Sequence, residues 1–391
     1  MKNETFIISA KRTPIGSYLG SLSRFSAVDL GVIASKAVIE DISNHSEIIE
    51  EVIFGNVLSA NLGQSPARQI ALNAGISNLA SATTVNKVCA SGLKSVIYGA
   101  QSIALSQSNV VLTGGTESMS NVPYYLTNYR KGNKLGHLGL IDGLLKDGLT
   151  NPYDDVHMGE IAELLNTKNL ITREAQDTYA ISSYKRANNA LKNGYFEDEV
   201  IPIELSNERS YFEDEDIFKL RPEKISKLKP SFITSGTITP ANASSLNDGA
   251  AALILANKNT IDKYQIKPLA KIIGFADASQ DPKWFTTSPA LAIEKILSKT
   301  SYSISDIDLF EINEAYANVP LANAEILNID IDKININGGA IALGHPLGAS
   351  GARILTTLIY ALINNKKKLG IAAICNGGGG ASAMLIENLN I

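Results

Sequence analysis

The two cysteines of this 391-residue sequence both lie where nucleophilic chemistry is possible. Cys89 comes directly before an apolar helical stretch that begins at Gly92. Free N–H groups and the helix dipole favour a thiolate at such a position, which predicts a nucleophile with a lowered pKa. A small core residue is the alternative, because free cysteine is often buried.

Cys375 ends an apolar run at residues 369–374 and is followed by Asn376 and four consecutive glycines. Backbone without Cβ atoms can approach a ligand closely and direct N–H groups at an anion or oxyanion. A flexible turn into the last strand explains the glycines equally well. The sequence contains neither a GxxxxGK[ST] phosphate loop nor a CxxC redox pair.

Three further polar residues are candidates for chemistry or binding. His345 lies between Gly344 and Pro346, in a loop that precedes a helix and could present a base. Asn313 follows a predicted strand at residues 308–312, where α/β folds place sites, although a helix cap is an alternative. His157 has aspartates beside it but no ligand spacing, so no metal site is predicted.

These residues are set in alternating strand and helix patterns, which predict an α/β fold. Two segments echo each other, since Ala-Ser-Gly opens a helix at residues 90–92 and again at 349–351, and a strand before a glycine-rich turn follows each helix. The predicted organisation has a first half at 1–119 completed by 247–270, an inserted loop domain at 120–246, and a second half at 271–391.

Composition excludes several classes of protein. The net charge is −4, and the only basic run is residues 366–368, which argues against nucleic-acid and membrane partners. Two cysteines cannot form a disulfide scaffold or an iron–sulfur site. The N-terminus resembles no secretory signal and no apolar run is long enough to cross a bilayer, so a cytoplasmic protein is expected.

The combination of motifs resembles the thiolase family, most closely its biosynthetic branch, the acetyl-CoA acetyltransferases. The resemblance extends along essentially the whole chain and is carried by long, ordered motifs. They are SAKRTPIG at 9–16, NKVCASG at 86–92, GGTESMS at 114–120, HMGE at 157–160, GTITPANAS at 236–244, LNDGAA at 246–251, NEA at 313–315, GGAIALGHPLGASG at 338–351 and CNGGGG at 375–380. The implied fold is two similar βαβαβαββ halves, in layered sheets and helices, with an inserted loop domain.

The resemblance also implies catalytic roles. Cys89 is expected to accept an acyl group as a thioester, with His345 as the base that activates it. Cys375 is expected to exchange a proton with the α-carbon of a second acyl-CoA. Asn313 would hold a water that, with His345, binds the enolate oxygen, and the backbone N–H groups of Cys89 and Gly377 would form a second oxyanion hole.

Binding roles follow from the same resemblance. Ser244 is expected to contact the pantetheine arm of coenzyme A, and Arg221 its nucleotide end, although Arg221 is as readily an ordinary surface charge. His157, Met158 and Phe232 are expected to line a pocket for short acyl chains. Coenzyme A is a substrate and product in this scheme, no bound cofactor or metal is implied, and a homotetramer, a dimer of dimers, is expected.

Three positions depart from the family pattern. Tyr316 stands where phenylalanine is usual, Asn376 where isoleucine is usual, and Gly380 where a larger residue is common, which leaves the substrate preference open. The expected activity is reversible condensation of two acetyl-CoA molecules. The alternatives are a degradative 3-ketoacyl-CoA thiolase for longer chains and a non-catalytic CoA-binding protein of the same fold.

Overall fold

The structure is a computed structural model that describes residues 3–43, 45–206 and 209–391. Its helices are α1 (Ala27–Asp41), α2 (Pro66–Asn73), α3 (Ser91–Ala104), α4 (Met158–Asn169), α5 (Arg173–Lys192), α6 (Pro222–Ile225), α7 (Lys258–Tyr264), α8 (Ser288–Leu297), α9 (Asn318–Leu327), α10 (Ala340–Leu343) and α11 (Leu347–Asn364). Its strands are β1 (Thr5–Arg12), β2 (Gly16–Ser17), β3 (Glu51–Gly55), β4 (Ser81–Val85), β5 (Val110–Ser118), β6 (Tyr124–Tyr125), β7 (Ile141–Asp142), β8 (Ile203–Ser206), β9 (Arg209–Tyr211), β10 (Asn247–Asn257), β11 (Ala270–Ser279), β12 (Leu309–Ile312), β13 (Leu369–Asn376) and β14 (Gly380–Asn388).

The main sheet consists of two halves with the same connectivity. The strand order is β12-β13-β14-β11-β1-β10-β5-β3-β4, and the β1–β11 pairing joins the halves. The parallel pair β3–β5 in one half corresponds to the parallel pair β12–β13 in the other. The antiparallel pairs β5–β10 and β13–β14 correspond in the same way. The duplication that the sequence echoes predicted is therefore present in the strand order.

Helices α3 and α11 lie between the two halves and pack against each other. Gly92 and Gly351 permit this contact, because a Cβ on Gly92 would lie 2.7 Å from Ala352 N and one on Gly351 would lie 2.3 Å from Leu93 N. The repeated Ala-Ser-Gly thus marks where the helices meet. Within the described residues, α11 alone is long and apolar enough to cross a membrane, and 89% of it is buried in the protein core.

The glycine pair Gly114 and Gly115 lies inside β5, so the turn predicted at this point is wrong. A Cβ on Gly114 would lie 2.3 Å from Ala251 O, and one on Gly115 would lie 2.1 Å from Gly348 O. Gly115 lets α11 approach the sheet closely, and Gly114 leaves space for the neighbouring strand β10 and the Phe54 ring. They are required by packing and not by a change of chain direction.

The chain leaves the sheet after β5 and returns on its antiparallel neighbour β10. The intervening residues contact the first strand through a buried ion cluster. Arg12 Nε lies 2.6 Å from a Glu199 oxygen, and its Nη1 lies 2.8 Å from Asp214 Oδ1. Removal of one member of such a buried cluster typically costs about 3–5 kcal/mol, so this cluster holds the segment on the sheet.

Candidate active site

Cys89 lies in the short loop between β4 and α3, directly before the first turn of the helix. The preceding residue, Val88, has a φ of +49°, an unfavourable conformation for a β-branched side chain. The loop is held from the second half of the chain, because Lys87 Nζ donates to Asp277 Oδ1 at 2.5 Å and to Ser382 Oγ at 2.8 Å. Contacts between the halves therefore fix the position of the thiol.

Burial raises the pKa of Cys89 to about 12, although the backbone N–H groups of Gly377 and of Cys89 itself point at the sulfur and lower it. The lowered pKa that the sequence predicted for this residue is therefore wrong for the free protein. At this position desolvation outweighs the N–H groups at the helix start and disfavours the charged thiolate. The resting form of Cys89 is the thiol.

Cys375 is the penultimate residue of β13 and faces the same cavity as Cys89. The cavity has a volume of about 320 Å³, and Gly377 also lines it. Burial, and secondarily the nearby Cys89 sulfur, raises the pKa of Cys375 above its usual value. Two thiols that lie 286 positions apart in the sequence thus share one apolar chamber.

His345 contributes an imidazole whose tautomer can be assigned from its neighbours. Its Nδ1 lies 2.6 Å from Ser350 Oγ, and the single Ser350 hydroxyl proton is donated to Pro346 O at 2.8 Å. Ser350 must therefore accept from Nδ1–H, which leaves the Nε2 lone pair free. Nε2 is buried and has no hydrogen-bonding partner in the part of the chain that the structure describes. Burial, with Arg353 nearby, lowers the pKa of His345 to about 3, so the ring is neutral.

Asn313 follows β12 and is almost fully buried. Neither atom of its side-chain amide has a hydrogen-bonding partner among the described residues. It does not cap α9, since that helix begins five residues later and Ala317 is its N-cap residue. The helix-cap alternative is therefore wrong. A buried amide with unused donors and acceptors is suited to binding a water molecule.

Glu314, the next residue, holds this loop in place. Its carboxylate accepts from Tyr179 Oη and Ser183 Oγ, both at 2.8 Å, and from Asn335 Nδ2 at 2.9 Å. These hydrogen bonds connect α5 and the segment before α10 to the end of β12. This support for the loop was not identified from the sequence, because its donors come from distant segments.

His157, Met158 and Phe232 all line the thiol cavity. His157 also caps α4, because its Nδ1 accepts from Gly159 N at 3.0 Å, and its ring stacks on Phe232 with centroids 4.7 Å apart. A Cβ on Gly159 would lie 2.4 Å from the Phe232 ring. Gly159 therefore leaves space for the Phe232 ring, and His157 serves as the cap of α4.

The described residues contain no group of His, Cys, Asp or Glu side chains arranged to hold a metal ion. The residues that line the thiol cavity bring together both thiols, two imidazoles, one amide and several hydroxyls: Cys89, Cys375, His157, His345, Asn376, Tyr316, Ser244 and Ser245.

Ser244 lies in the wall of the thiol cavity, and its hydroxyl donates to Ala315 O at 2.9 Å. Arg221 is not in this cavity. It lines a second one with Lys219 and Lys224, and the two cavities share Ser245 at their boundary. Eight of the ten candidate site residues thus line the thiol cavity. Asn313 is not among its lining residues, although Ala315, two positions later, is, and Arg221 lies in the adjoining cavity.

Two of the departures from the family pattern form a pair. A Cβ on Gly380 would lie 2.7 Å from the side-chain oxygen and nitrogen of Asn376. Gly380 therefore leaves space for the Asn376 amide, which donates to Gly377 O at 2.7 Å. The pair holds the glycine run whose first N–H group points at the Cys89 sulfur.

The fold, the two thiols and the imidazole together are those of a thiolase. The sequence profile of the thiolase N-terminal domain matches residues 5–259, and that of the thiolase C-terminal domain matches residues 266–388. The chain therefore belongs to the thiolase family, and the family and fold that the sequence predicted are confirmed.

Three relatives illustrate the similarity. The chain is 50% identical to the acetyl-CoA acetyltransferase ERG10, cytosolic, of Gibberella zeae, over 98% of each protein. The crystal structure of the Acat5 thiolase from Ascaris suum in complex with coenzyme A is 45% identical, with a TM-score of 0.94 over 99% of this chain and 100% of that one. Human mitochondrial 3-ketoacyl-CoA thiolase in complex with CoA is 40% identical, with a TM-score of 0.96 over 99% and 98%.

Proposed function

We propose that this protein is an acetyl-CoA C-acetyltransferase that reversibly condenses two acetyl-CoA molecules to acetoacetyl-CoA and coenzyme A. The observation that carries this proposal is one cavity with two thiols, a neutral imidazole and two N–H groups directed at the Cys89 sulfur. A relative of nearly the same length, 50% identical, bears the name of this enzyme.

In the first half-reaction, the free Nε2 of His345 accepts the Cys89 proton while the sulfur attacks the acetyl carbonyl carbon. The N–H groups of Cys89 and Gly377 stabilise the oxyanion, and such donors are worth about 10²–10³ in rate. The coenzyme A sulfur leaves and takes the proton of Cys375. The products are acetyl-Cys89, imidazolium and a Cys375 thiolate.

In the second half-reaction, the Cys375 thiolate removes an α-proton from the second acetyl-CoA. The enolate oxygen is stabilised by protonated His345 and by a water held on the unused amide of Asn313. The α-carbon attacks the acetyl carbonyl, and the Cys89 sulfur leaves and recovers its proton from His345. Both thiols and the imidazole return to their initial states.

Coenzyme A would extend from the thiol cavity past Ser244 into the adjoining cavity. The pantetheine arm fits the boundary at Ser245, where the two cavities meet. Lys219, Arg221 and Lys224 provide positive charge for the phosphates of the nucleotide end. Arg221→Ala should therefore raise KM for acetyl-CoA with little change in kcat, and an unchanged KM would contradict this assignment.

Thiolysis of acetoacetyl-CoA by coenzyme A tests the proposed activity. We expect formation of acetyl-CoA under reducing conditions, and no turnover would contradict the proposal. The alternative, a degradative thiolase for longer 3-ketoacyl-CoA esters, predicts a kcat/KM that rises with chain length. The human 3-ketoacyl-CoA thiolase among its structural relatives makes that comparison worthwhile.

Single cysteine variants separate the two roles. Cys89→Ser should abolish acylation by acetyl-CoA, whereas Cys375→Ser should still form one acetyl thioester at Cys89 but fail to condense. Mass spectrometry of the intact protein measures both. Condensation at the normal rate by Cys375→Ser would show the base assignment to be wrong. No acetyl group on the wild-type protein would favour the non-catalytic CoA-binding alternative.

We further propose a homotetramer arranged as a dimer of dimers, which requires two kinds of interface. Two surfaces are suited to this. The edge strand β4 has exposed and half-exposed residues and an open edge. The segment around β6 and β7 exposes large apolar side chains, including Leu135 at 94% and Leu140 at 69%.

Light scattering after size exclusion tests the assembly. The double variant Leu135→Asp with Leu140→Asp should convert the tetramer to a dimer. Leu170→Asp changes a residue that is 84% exposed on a different part of the surface, and it should leave the tetramer intact. A monomeric wild-type protein, or a double variant that remains tetrameric, would contradict the arrangement.

We also propose a cytoplasmic location, supported by the relative named as cytosolic, and fluorescence microscopy of a tagged chain tests it.

A further inference from the structure

Tyr316 places a hydroxyl group in the thiol cavity that the proposed mechanism does not use. It lies in the loop between β12 and α9, and this loop is held by the insertion. Ser244 N donates to the preceding carbonyl, Ala315 O, at 3.0 Å, and the next N–H group, from Ala317, donates to Asn242 O at 2.9 Å. The backbone of Tyr316 is thus fixed on both sides.

The aromatic ring is held as firmly as the backbone. Tyr316 is 8% exposed, and its ring meets Phe232 edge to face, with centroids 6.0 Å apart and planes at 87°. Phe232 is fixed in turn by stacking on the helix-capping His157. The side chain therefore has little freedom to move away from a substrate.

The hydroxyl faces the reacting atoms. Tyr316 lines the cavity with Cys89 and Cys375, and both sulfurs act electrostatically on its hydroxyl. The hydroxyl lies in the wall of the cavity and makes no hydrogen bond to a described residue. It is therefore a polar group that opens into a mostly apolar chamber. Burial, followed by the two sulfurs, raises the pKa of Tyr316 and keeps it a protonated donor.

A group that faces both sulfurs also faces the α-carbon of the second substrate. During condensation this carbon loses its proton to Cys375 and forms its bond to the acyl group on Cys89. With a plain acetyl unit, water can remain on the Tyr316 hydroxyl. A methyl branch on the α-carbon would displace that water and leave the hydroxyl without a partner, which costs about 1–3 kcal/mol.

Resting on the proposed function, we propose that Tyr316 is a specificity-determining residue that selects against acyl-CoA substrates with a methyl branch at the α-carbon. The ring narrows the cavity at the reacting carbon, and the hydroxyl penalises apolar groups placed there. The selected substrates are unbranched, with two hydrogens at the α-carbon of the 3-ketoacyl thioester.

The test compares thiolysis of 2-methylacetoacetyl-CoA with that of acetoacetyl-CoA in the wild type and in Tyr316→Phe. We expect the ratio of kcat/KM, branched over unbranched, to rise by about 5- to 150-fold in the variant, which is the factor equivalent to 1–3 kcal/mol. The rate of Cys89 acetylation by acetyl-CoA should stay unchanged, because the acetyl donor has no branch. Tyr98→Phe, on the exposed side of α3, is the matched control and should leave the ratio unchanged.

Three results would overturn the inference. The first is a Tyr316→Phe ratio of kcat/KM, branched over unbranched, within twofold of the wild-type ratio. The second is equal turnover of both substrates by the wild type. The third is an equal loss of kcat/KM with both substrates in Tyr316→Phe, which would make the hydroxyl part of the reaction itself. Failure of the proposed function is distinguishable, since the wild type would then not cleave acetoacetyl-CoA at all. Thermal melting of both variants shows whether the fold is retained.

Discussion

Ser350→Ala tests the assigned tautomer of His345. The serine hydroxyl accepts from Nδ1–H and has already given its own proton to Pro346 O. This arrangement keeps the proton off Nε2, the atom that must accept the Cys89 proton. Alanine removes the acceptor while leaving the helix start of α11 intact, because Ser350 does not cap that helix.

The size of the effect follows from the burial of the pair. Both residues are buried, with His345 at 5% exposure and Ser350 at 0%. A buried N–H group without an acceptor costs about 1–3 kcal/mol. Without that acceptor the Nδ1–H tautomer loses its advantage over the Nε2–H tautomer, which cannot accept the Cys89 proton. The active tautomer therefore becomes about 5- to 150-fold less populated, and Cys89 acetylation should slow by the same factor.

Quenched-flow mass spectrometry of acetyl-Cys89 formation measures the rate, and ¹⁵N NMR of the imidazole reports the tautomer directly. Ser102→Ala is the matched control, because Ser102 is a buried helical serine that bonds the remote Glu51. An acetylation rate within twofold of wild type would refute the reasoning. Slow acetylation with an unchanged imidazole spectrum would refute it as well.

Two other perturbations test the walls of the site. Gly159→Ala should lower kcat/KM for acetoacetyl-CoA by at least tenfold, because its Cβ would lie 2.4 Å from the Phe232 ring, and steady-state kinetics at unchanged melting temperature would isolate this effect. The pKa of Asp277 is lowered to about 2. Burial raises this pKa, but the hydrogen bonds from Lys87 and Lys94 lower it by a larger amount. Its stabilising effect is present above its ordinary pKa of 3.8 and is lost as the pH falls toward 2, so Asp277→Asn should flatten the acid dependence of unfolding between these values. Unchanged acid dependence in that variant would contradict the ion-pair assignment.

Much of the fold could be predicted because its patterns are local. The apolar spacing in α3 and α11 and the buried runs of β5 and β13 are visible without any tertiary contact. The paired glycines of β5 could not be assigned correctly from sequence. Glycine permits both a turn and a close approach, and only the neighbouring segments, here β10 beside Gly114 and α11 beside Gly115, distinguish the two.

The sequence predicted which residues form the candidate site but not the pKa values of their side chains. Cys89, His345 and Cys375 each have a local signal, namely a helix start, a glycine-rich loop and a strand end. Their pKa shifts come from burial beneath segments far away in sequence, which reversed the thiolate expectation for Cys89. The support of His345 by Ser350 was missed because a serine five residues away has many possible partners.

The sequence by itself determined the main helices and strands around the site, the duplication and the identity of the reactive side chains, since each depends on residue types at short spacing. Only the tertiary structure decided that Gly377 N–H points at the Cys89 sulfur and that the Tyr316 hydroxyl opens beside both thiols. Covalent geometry does not fix distances between segments more than 200 residues apart. Packing of the two halves across α3 and α11 fixes them.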